Sequence, residues 1–151
     1  MGIDSKNKLI TTRNAMITDF DIVNDFIEEL ENIRFDRQKQ LEIFKKNITN
    51  PENIYLVAEE NGSVVGYLSC HVQSLLHHGG RVGEIQEMFV SNKKRSHGIG
   101  KLLLNRLRVL AAEMDLVQLE VTSNKDRLMA HKFYARQDFK LTHKKFTLPL
   151  K

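Results

Sequence analysis

Cysteine occurs only once in the 151 residues, at Cys70, so neither a disulfide framework nor a multi-cysteine zinc site can be built within the chain. No run approaches the roughly 18 consecutive apolar residues that would cross a bilayer. Met1 to Thr12 lacks the apolar core, about 7–15 residues long, of a secretory leader. A charge excess is nearly missing as well. The 23 Lys and Arg against 19 Asp and Glu leave +4, which suits an anionic ligand without demanding nucleic acid. Linkers, internal repeats and low-complexity tracts are also absent. Together these absences predict a soluble, cytoplasmic protein with one domain over residues 1–151 and no membrane contact. What is present agrees: a chain of this length buries roughly 70% of its unfolded surface, and 41% hydrophobic with 28% charged residues is an ordinary globular balance.

The hydrophobic periodicity alternates between strand and helix. Leu9–Arg13 reads as a strand. Thr18 reads as an N-cap, with Asp21 as its reciprocal partner, for a helix to Leu30 built on Ile22, Val23, Phe26 and Ile27. A second helix over about Asp36–Asn47 places Leu41, Phe44 and Ile48 on one side and ends before Pro51. Ile54–Glu59 and Val64–Gln73 flank Asn61-Gly62, the strongest short-range hairpin signal. A loop over Leu75–Arg81 precedes a strand over Gly83–Val90. A helix then begins at Gly98 with the stripe Ile99, Leu103, Leu107, Leu110 and Met114. A strand over Leu116–Val121, a short helix over Arg127–Arg136 and one or two strands within Phe139–Leu148 complete the chain. This order predicts an α/β (α+β) fold: a mixed, twisted sheet of about six to seven strands with helices on both faces. The hairpin makes part of that sheet antiparallel, and the long helix supplies a parallel crossover.

The segment Val90-Ser91-Asn92-Lys93-Lys94-Arg95-Ser96-His97-Gly98-Ile99-Gly100-Lys101 carries the strongest chemical signal. A strand ends, a basic loop follows, and a helix begins at two glycines. The first turn of a helix has unpaired amides and the positive end of the dipole, so an anion fits there. Gly98 and Gly100 let a diphosphate approach the main chain. The segment has no Gly-Lys-Ser/Thr, and Leu103 stands where a dinucleotide fingerprint has its third glycine.

Arg95-x-x-Gly98-x-Gly100 resembles the acyl-coenzyme A pyrophosphate loop of the GNAT N-acetyltransferases, and the order of elements agrees across most of the chain. Within that superfamily the sequence is most similar to aminoalkylphosphonate N-acetyltransferases. The similarity rests on His77-His78, on Gly83-Glu84-Ile85-Gln86-Glu87, on Thr122-Ser123-Asn124 and on Ala130-His131-Lys132-Phe133-Tyr134. The resemblance implies acetyl-CoA as cosubstrate. Its pyrophosphate would lie on the amides of Arg95, Ser96, His97, Gly98, Ile99, Gly100 and Lys101. Its pantetheine arm would lie between strands splayed apart at Gly83–Val90 and Leu116–Ser123, against the backbone of Met88 and Val90. Asn124 would touch the same arm or cap the following helix. Ser96 stands where the family often has glycine. The family's dimers imply a homodimer.

The resemblance also puts the Tyr134 phenol beside the thioester sulfur, where a group of pKa about 10 can donate to the departing thiolate. Glu84 and Glu87 stand in a strand expected to be nearly all apolar, and carboxylates there need partners or a task. Period-two alternation puts Glu84, Gln86 and Met88 on one face and Ile85, Glu87 and Phe89 on the other unless a bulge intervenes. The task is deprotonation. A primary amine near pKa 10.4 is neutral about once in 10³ molecules at pH 7, a barrier of roughly 4–5 kcal/mol. The resemblance favours Glu84 as that base, since related acetyltransferases carry a glutamate six residues before the position of Val90; Glu87 is the second candidate, and salt bridges to Arg81 or a lysine are the structural alternative. His77, His78 and Arg81 are candidates for binding the acceptor's anionic group. The resemblance leaves open a divalent metal held by His71, His77 or His78 with Glu84 or Glu87, although spacing alone does not call for one. Cys70, mid-strand, reads as a buried thiol.

The predicted activity is direct transfer of acetyl to a primary amine of a small molecule. An aminoalkylphosphonate is the first acceptor to test, and a polyamine, an aminoglycoside or a protein amine remain open. No Ser/His/Asp or Cys/His nucleophile signature stands beside this reading. A sensor or regulator that binds acyl-CoA without turnover is the alternative. Nucleic-acid binding is not expected, since Lys93-Lys94-Arg95 and Lys144-Lys145 are short and lack stacking aromatics.

Overall fold

The computed structural model describes residues 9–95 and 97–151. Five strands form one sheet in chain order: β1 (Ile10–Asn14), β2 (Ile54–Glu60), β3 (Ser63–Leu75), β4 (Gly80–Val90) and β5 (Gln118–Val121). The first four pair antiparallel, and β5 joins β4 in parallel. Asn61 and Gly62 both have positive φ, as the two-residue turn between β2 and β3 requires. The helices are α1 (Phe20–Glu31), α2 (Arg37–Thr49), α3 (Ile99–Glu113) and α4 (Leu128–Arg136). No helix among the described residues is long and apolar enough to cross a membrane.

Strand alternation divides the core between two faces. On one, Ile54, Leu56, Leu68, Cys70 and Ile85 pack under Ile99, Leu103, Leu104 and Leu107 of α3. On the other, Tyr55, Val57, Tyr67 and Phe89 meet Phe20, Val23 and Phe26 of α1 and Phe44 of α2. Helices therefore cover both faces, as the pattern predicts. The α3 crossover between β4 and β5 gives the parallel pair. Cys70 is fully buried, and burial pushes its thiol up to about 12, so it behaves as a small apolar side chain.

Three expectations need correction. Thr18 does not cap α1: a 3-10 turn over Ile17–Asp19 precedes the helix, and Asp19 Oδ2 instead accepts the Met16 N–H at 2.7 Å. The loop expected over Leu75–Arg81 is much shorter, because β3 and β4 extend to Leu75 and Gly80 and enclose only a 3-10 turn at Leu76–His78 and Gly79. The strands expected within Phe139–Leu148 do not form. Phe139 packs against the α3-side core, but Leu141, Phe146 and Leu148 are 98%, 91% and 83% exposed. Alternating apolar residues make a strand only when a neighbouring edge satisfies their amides, and among the described residues this tail pairs with no strand. The sheet accordingly has five strands among the described residues rather than six to seven.

Asp19 is a buried carboxylate, 6% exposed. Its carboxylate accepts both terminal nitrogens of Arg13, at 2.8 and 2.9 Å, and Arg13 also reaches Glu59 at 2.8 Å. Arg13 holds the Asp19 carboxyl below the usual carboxylate range, against the opposing effect of burial. Asp19→Asn should cost about 1.5–3 kcal/mol at pH 7, since charge-assisted hydrogen bonds are lost. A lowered carboxyl stabilises the fold fully above its unfolded value and loses that contribution as pH falls through the folded one. Denaturant titrations should therefore separate the variant from the parent at pH 7 and show the gap narrowing as pH falls below the ordinary carboxylate range.

Candidate active site

The site is built on an irregularity in β4. Ser69 pairs with Glu87, but Cys70 pairs with Ile85, so Gln86 is an extra residue in β4 with no partner opposite it. The bulge resets the alternation. Glu87 lies across from Ser69, and Glu84 lies across from His71, so both share the face of Tyr55 and Tyr67 under α1 and α2. The simple period-two expectation, with Glu84 and Glu87 on opposite faces, is overturned by that one residue.

The bulge also marks where β4 loses its neighbour. Pairing with β5 runs from Val82–Gln118 to Ile85–Val121 and stops. From Gln86 to Val90 the outer edge of β4 has no strand beside it among the described residues. Ser91 N–H donates to Val65 O on the β3 side, so by alternation the backbone groups of Met88 and Val90 point to the open side. The Val90 carbonyl accepts Arg95 Nε there at 3.2 Å, and the Arg95 guanidinium lies 5.5 Å from the centre of the Phe89 ring.

At the end of this open edge stands the start of α3. Gly98 has φ +77°, a conformation L side chains rarely adopt. The first helical bond is Leu102 N–H to Gly98 O, so the amides of Ile99, Gly100 and Lys101 have no carbonyl within the helix. A Cβ on Gly100 would come within 3.3 Å of the Phe133 ring, so glycine is what lets α4 close on the first turn of α3. Lys93 and His97 are exposed, whereas Lys94 is tied to Glu60 at 2.8 Å. Ser96 lies outside the described residues.

Tyr134 follows Phe133 in α4 and packs edge-on between it and Phe139. Burial pushes its phenol up to about 12, although the nearby Arg127 charge pulls it down. Arg127 donates to Leu30 O at 2.9 Å and lies 3.6 Å from Glu31, tying the start of α4 to the end of α1. The Glu31 charge in turn acts on Glu87. Arg127 and Glu31 are not singled out from the sequence, where Arg127 reads only as the start of a short helix and Glu31 lies just past the expected end of another.

Glu87 accepts the Ser69 hydroxyl at 2.7 Å. Burial raises its carboxyl above the ordinary range despite that bond. It borders a small cleft of about 90 Å³ between α1, α2 and the sheet, lined also by Asn24, Gln40, Asn47, Tyr55 and Tyr67. Tyr55 Oη lies 2.6 Å from His71 Nε2; burial raises the phenol and lowers the imidazole, so both are neutral when they share this hydrogen bond. His71 and Tyr55 thus form a pair that sequence spacing could not reveal, since they meet only through the β2–β3 register.

The remaining candidates disperse. His77 and His78 stack at the β3–β4 turn, and His78 lies 3.3 Å from Glu120, the β5 neighbour of Glu84. This turn is at the opposite end of β4 from Gly98, roughly 30 Å away by strand geometry. Arg81 lies on the α3 face, opposite the two glutamates, and donates to Met114 O at 3.0 Å and to Glu52 at 2.9 Å. Asn124 closes a turn, its Oδ1 accepting the Asp126 N–H at 2.9 Å, while its carbonyl meets the His131 ring at 2.8 Å. No three His, Cys, Asp or Glu side chains converge as a metal-binding group among the described residues.

Because the Glu87 carboxyl holds its proton more tightly folded than unfolded, stability should fall as pH rises through that window. Glu87→Gln keeps an acceptor for Ser69 and removes the buried charge. It should melt a few degrees above the parent at pH 8 and lose that advantage near pH 4, as thermal melts across pH would record.

Comparison with known proteins agrees with this architecture. Residues 20–139 match the model of the acetyltransferase (GNAT) family. An aminoalkylphosphonate N-acetyltransferase of Salmonella typhimurium is 37% identical over 138 residues, covering 91% of this chain and 90% of the relative. Among solved structures, a transcriptional regulator from Bacillus halodurans superposes with a TM-score of 0.87 at 21% identity, covering 94% of this chain and all of that one. A predicted acetyltransferase from Clostridium acetobutylicum with acetyl-CoA gives 0.78 at 20% identity, covering 94% of this chain and 97% of that one. The last two likenesses concern the fold alone. With a family match over most of its length and a relative of such identity, the chain belongs to the GNAT acetyltransferase family and is an N-acetyltransferase.

Proposed function

We propose that residues 1–151 act as one acetyltransferase domain that moves the acetyl group of acetyl-CoA to the primary amine of a small molecule, with an aminoalkylphosphonate as the leading acceptor. The observation that carries this reading is the β4 bulge: it sets Glu84 and Glu87 on one face beside a strand edge that leads to the unpaired amides of α3. The acceptor is suggested by the 37% identity to the Salmonella enzyme.

In this reading the pyrophosphate lies on the amides from Arg95 to Lys101, Ser96 among them, at the positive end of α3. The pantetheine arm runs along Met88 and Val90 as a strand would, displacing the Arg95 contact with Val90 O, and reaches Asn124. The acceptor arrives as an ammonium from the cleft of Tyr55, Tyr67 and Glu87, where aromatic faces and a carboxylate favour a cation. Glu84 takes one proton from it, directly or through water. The neutral nitrogen attacks the thioester carbon, the C–S bond breaks, and the second proton lost by nitrogen balances the thiol. Tyr134, with a phenol near 12, stays protonated and donates a hydrogen bond to the developing thiolate. An ordinary thiol near pKa 8.5 holds a proton less tightly than that phenol. Tyr134 is therefore a standing donor rather than a group that gives its proton away. His77 and His78 face the acceptor's anionic end across Glu120, and Arg81, occupied on the other face, takes no part. A divalent metal would find His71 or His78 with Glu84 or Glu120, and this proposal routes no step through one.

The decisive assay is free-thiol release from acetyl-CoA across a panel of 2-aminoethylphosphonate, a polyamine, an aminoglycoside and a lysine peptide, with and without chelator. Turnover is expected with the phosphonate. Release with another amine alone would move the acceptor class, and no rise in melting temperature with millimolar acetyl-CoA would remove the cosubstrate.

Two substitutions test the roles. Glu84→Gln should slow turnover by roughly 10²-fold below the acceptor's pKa and progressively less above it, where the amine is already neutral. Tyr134→Phe should lower kcat by about 10-fold or more with little change in the KM for acetyl-CoA. A flat pH response in the first, or a pure KM effect in the second, would reassign those residues.

A further inference from the structure

β3 is the middle strand of the sheet, and Tyr67, Leu68, Ser69 and Cys70 form its most enclosed stretch, Ser69 with no exposure at all. Strand preference and burial both favour a branched apolar residue at such a place, and a hydroxyl there needs partners. Ser69 finds both on one residue. Its Oγ donates to Glu87 Oε2 at 2.7 Å and accepts the Glu87 N–H at 3.1 Å. A single hydroxyl thus grips the side chain and the main chain of the residue across from it.

That residue borders the bulge. Between the pairs Ser69–Glu87 and Cys70–Ile85 the extra residue is Gln86, exposed, with its side-chain amide turned back onto Glu84 O at 3.2 Å. Sliding the defect by one place would set Gln86 across from Ser69 and make Glu87 the extra residue. The pairs Leu68–Met88 and Cys70–Ile85 on either side would stay as they are. Desolvation favours that slide: burial raises the Glu87 carboxyl, and a neutral amide would replace it while the acid moved to the exposed place. Among the described residues only the Ser69 hydroxyl donates to this carboxylate, so the two Ser69 bonds are what oppose the slide.

We propose that Ser69 is a positioning residue whose hydroxyl pins the β4 bulge at Gln86 and so keeps the Glu87 carboxylate turned into the cleft beside Tyr55 and Tyr67, where it selects an acceptor bearing a cation. Ser69 does not line that cleft and reaches the acceptor only through Glu87. The kinetic consequence rests on the acetyl-transfer reading, and the structural one rests on the register alone.

Three substitutions test it. Ser69→Thr and Ser69→Val add the same volume and differ only in the hydroxyl, and Ser69→Ala adds none. Amide hydrogen exchange followed by NMR reads the register without turnover. The Glu87 amide should exchange slowly in the parent and in Ser69→Thr. In Ser69→Val and Ser69→Ala it should exchange roughly 10-fold faster or more, with the amides of β2 unchanged, which marks the shift as local. With the amine that thiol release identifies, the acceptor KM should rise roughly 10-fold in the Val and Ala variants and return close to the parent's in the Thr variant. The KM for acetyl-CoA should stay constant throughout. A slow Glu87 amide in both the Val and Ala variants, or a Thr variant that behaves like the Val one, would overturn the proposal. So would a moved register with an unchanged acceptor KM. Absence of turnover with every amine would count against the acetyl-transfer reading instead, and the exchange rates would still decide for or against the pinning by Ser69.

Discussion

One extra residue in β4 organises everything else in the site. A regular antiparallel strand would send Glu84 and Glu87 to opposite faces, one beneath α3 and one beneath α1 and α2. A carboxylate under α3 would sit among Leu68, Ile85 and Leu103 with no polar partner, an arrangement whose desolvation cost would be several kcal/mol. The bulge at Gln86 resolves this by turning both acids toward the polar and aromatic side. It also increases local twist, and β5 ends its pairing with β4 at the residue just before it. The same defect thus gathers the acids and opens the strand edge beside them.

What this arrangement costs is visible in Glu87. Its carboxyl is buried, raised by desolvation, and held by a single hydroxyl from Ser69. A core chosen for stability alone would place an apolar residue there, since an under-solvated acid is a penalty at neutral pH. Tyr55 and His71 are likewise a neutral hydrogen-bonded pair where packing alone would favour hydrocarbon. Local departures of this kind cluster where a protein binds or reacts. Their convergence on the cleft between α1, α2 and the sheet distinguishes that cleft from the acid-lined hollow at the end of α1, where Asp25 is exposed and Glu28 and Glu29 accept the Phe35 N–H and the Asn92 side-chain amide.

Much of this was legible in the sequence, for identifiable reasons. The α3 stripe, the Asn61-Gly62 turn and the strand–basic loop–glycine start of α3 are local signals, each written within a dozen residues. The register was not legible, because it depends on residues far apart in the chain. That Glu84 meets His71, that Arg127 bridges the ends of α1 and α4, and that Arg81 lies on the wrong face for the acids all follow from strand pairing and helix docking. A bulge leaves no residue-type signature at Gln86, so periodicity could only allow for one.

The tail shows the converse error, in which a correct local signal gave an incorrect element. Leu141, Phe146, Leu148 and Leu150 carry strand spacing, yet no strand forms. Hydrophobic alternation specifies which side chains a strand would bury, whereas the strand itself needs a neighbour for its amides. A single chain supplies two such edges, on β1 and β5, and the tail uses neither. Among the described residues the tail has the alternation of a strand and none of its backbone pairing, which is why the expected sixth strand does not form.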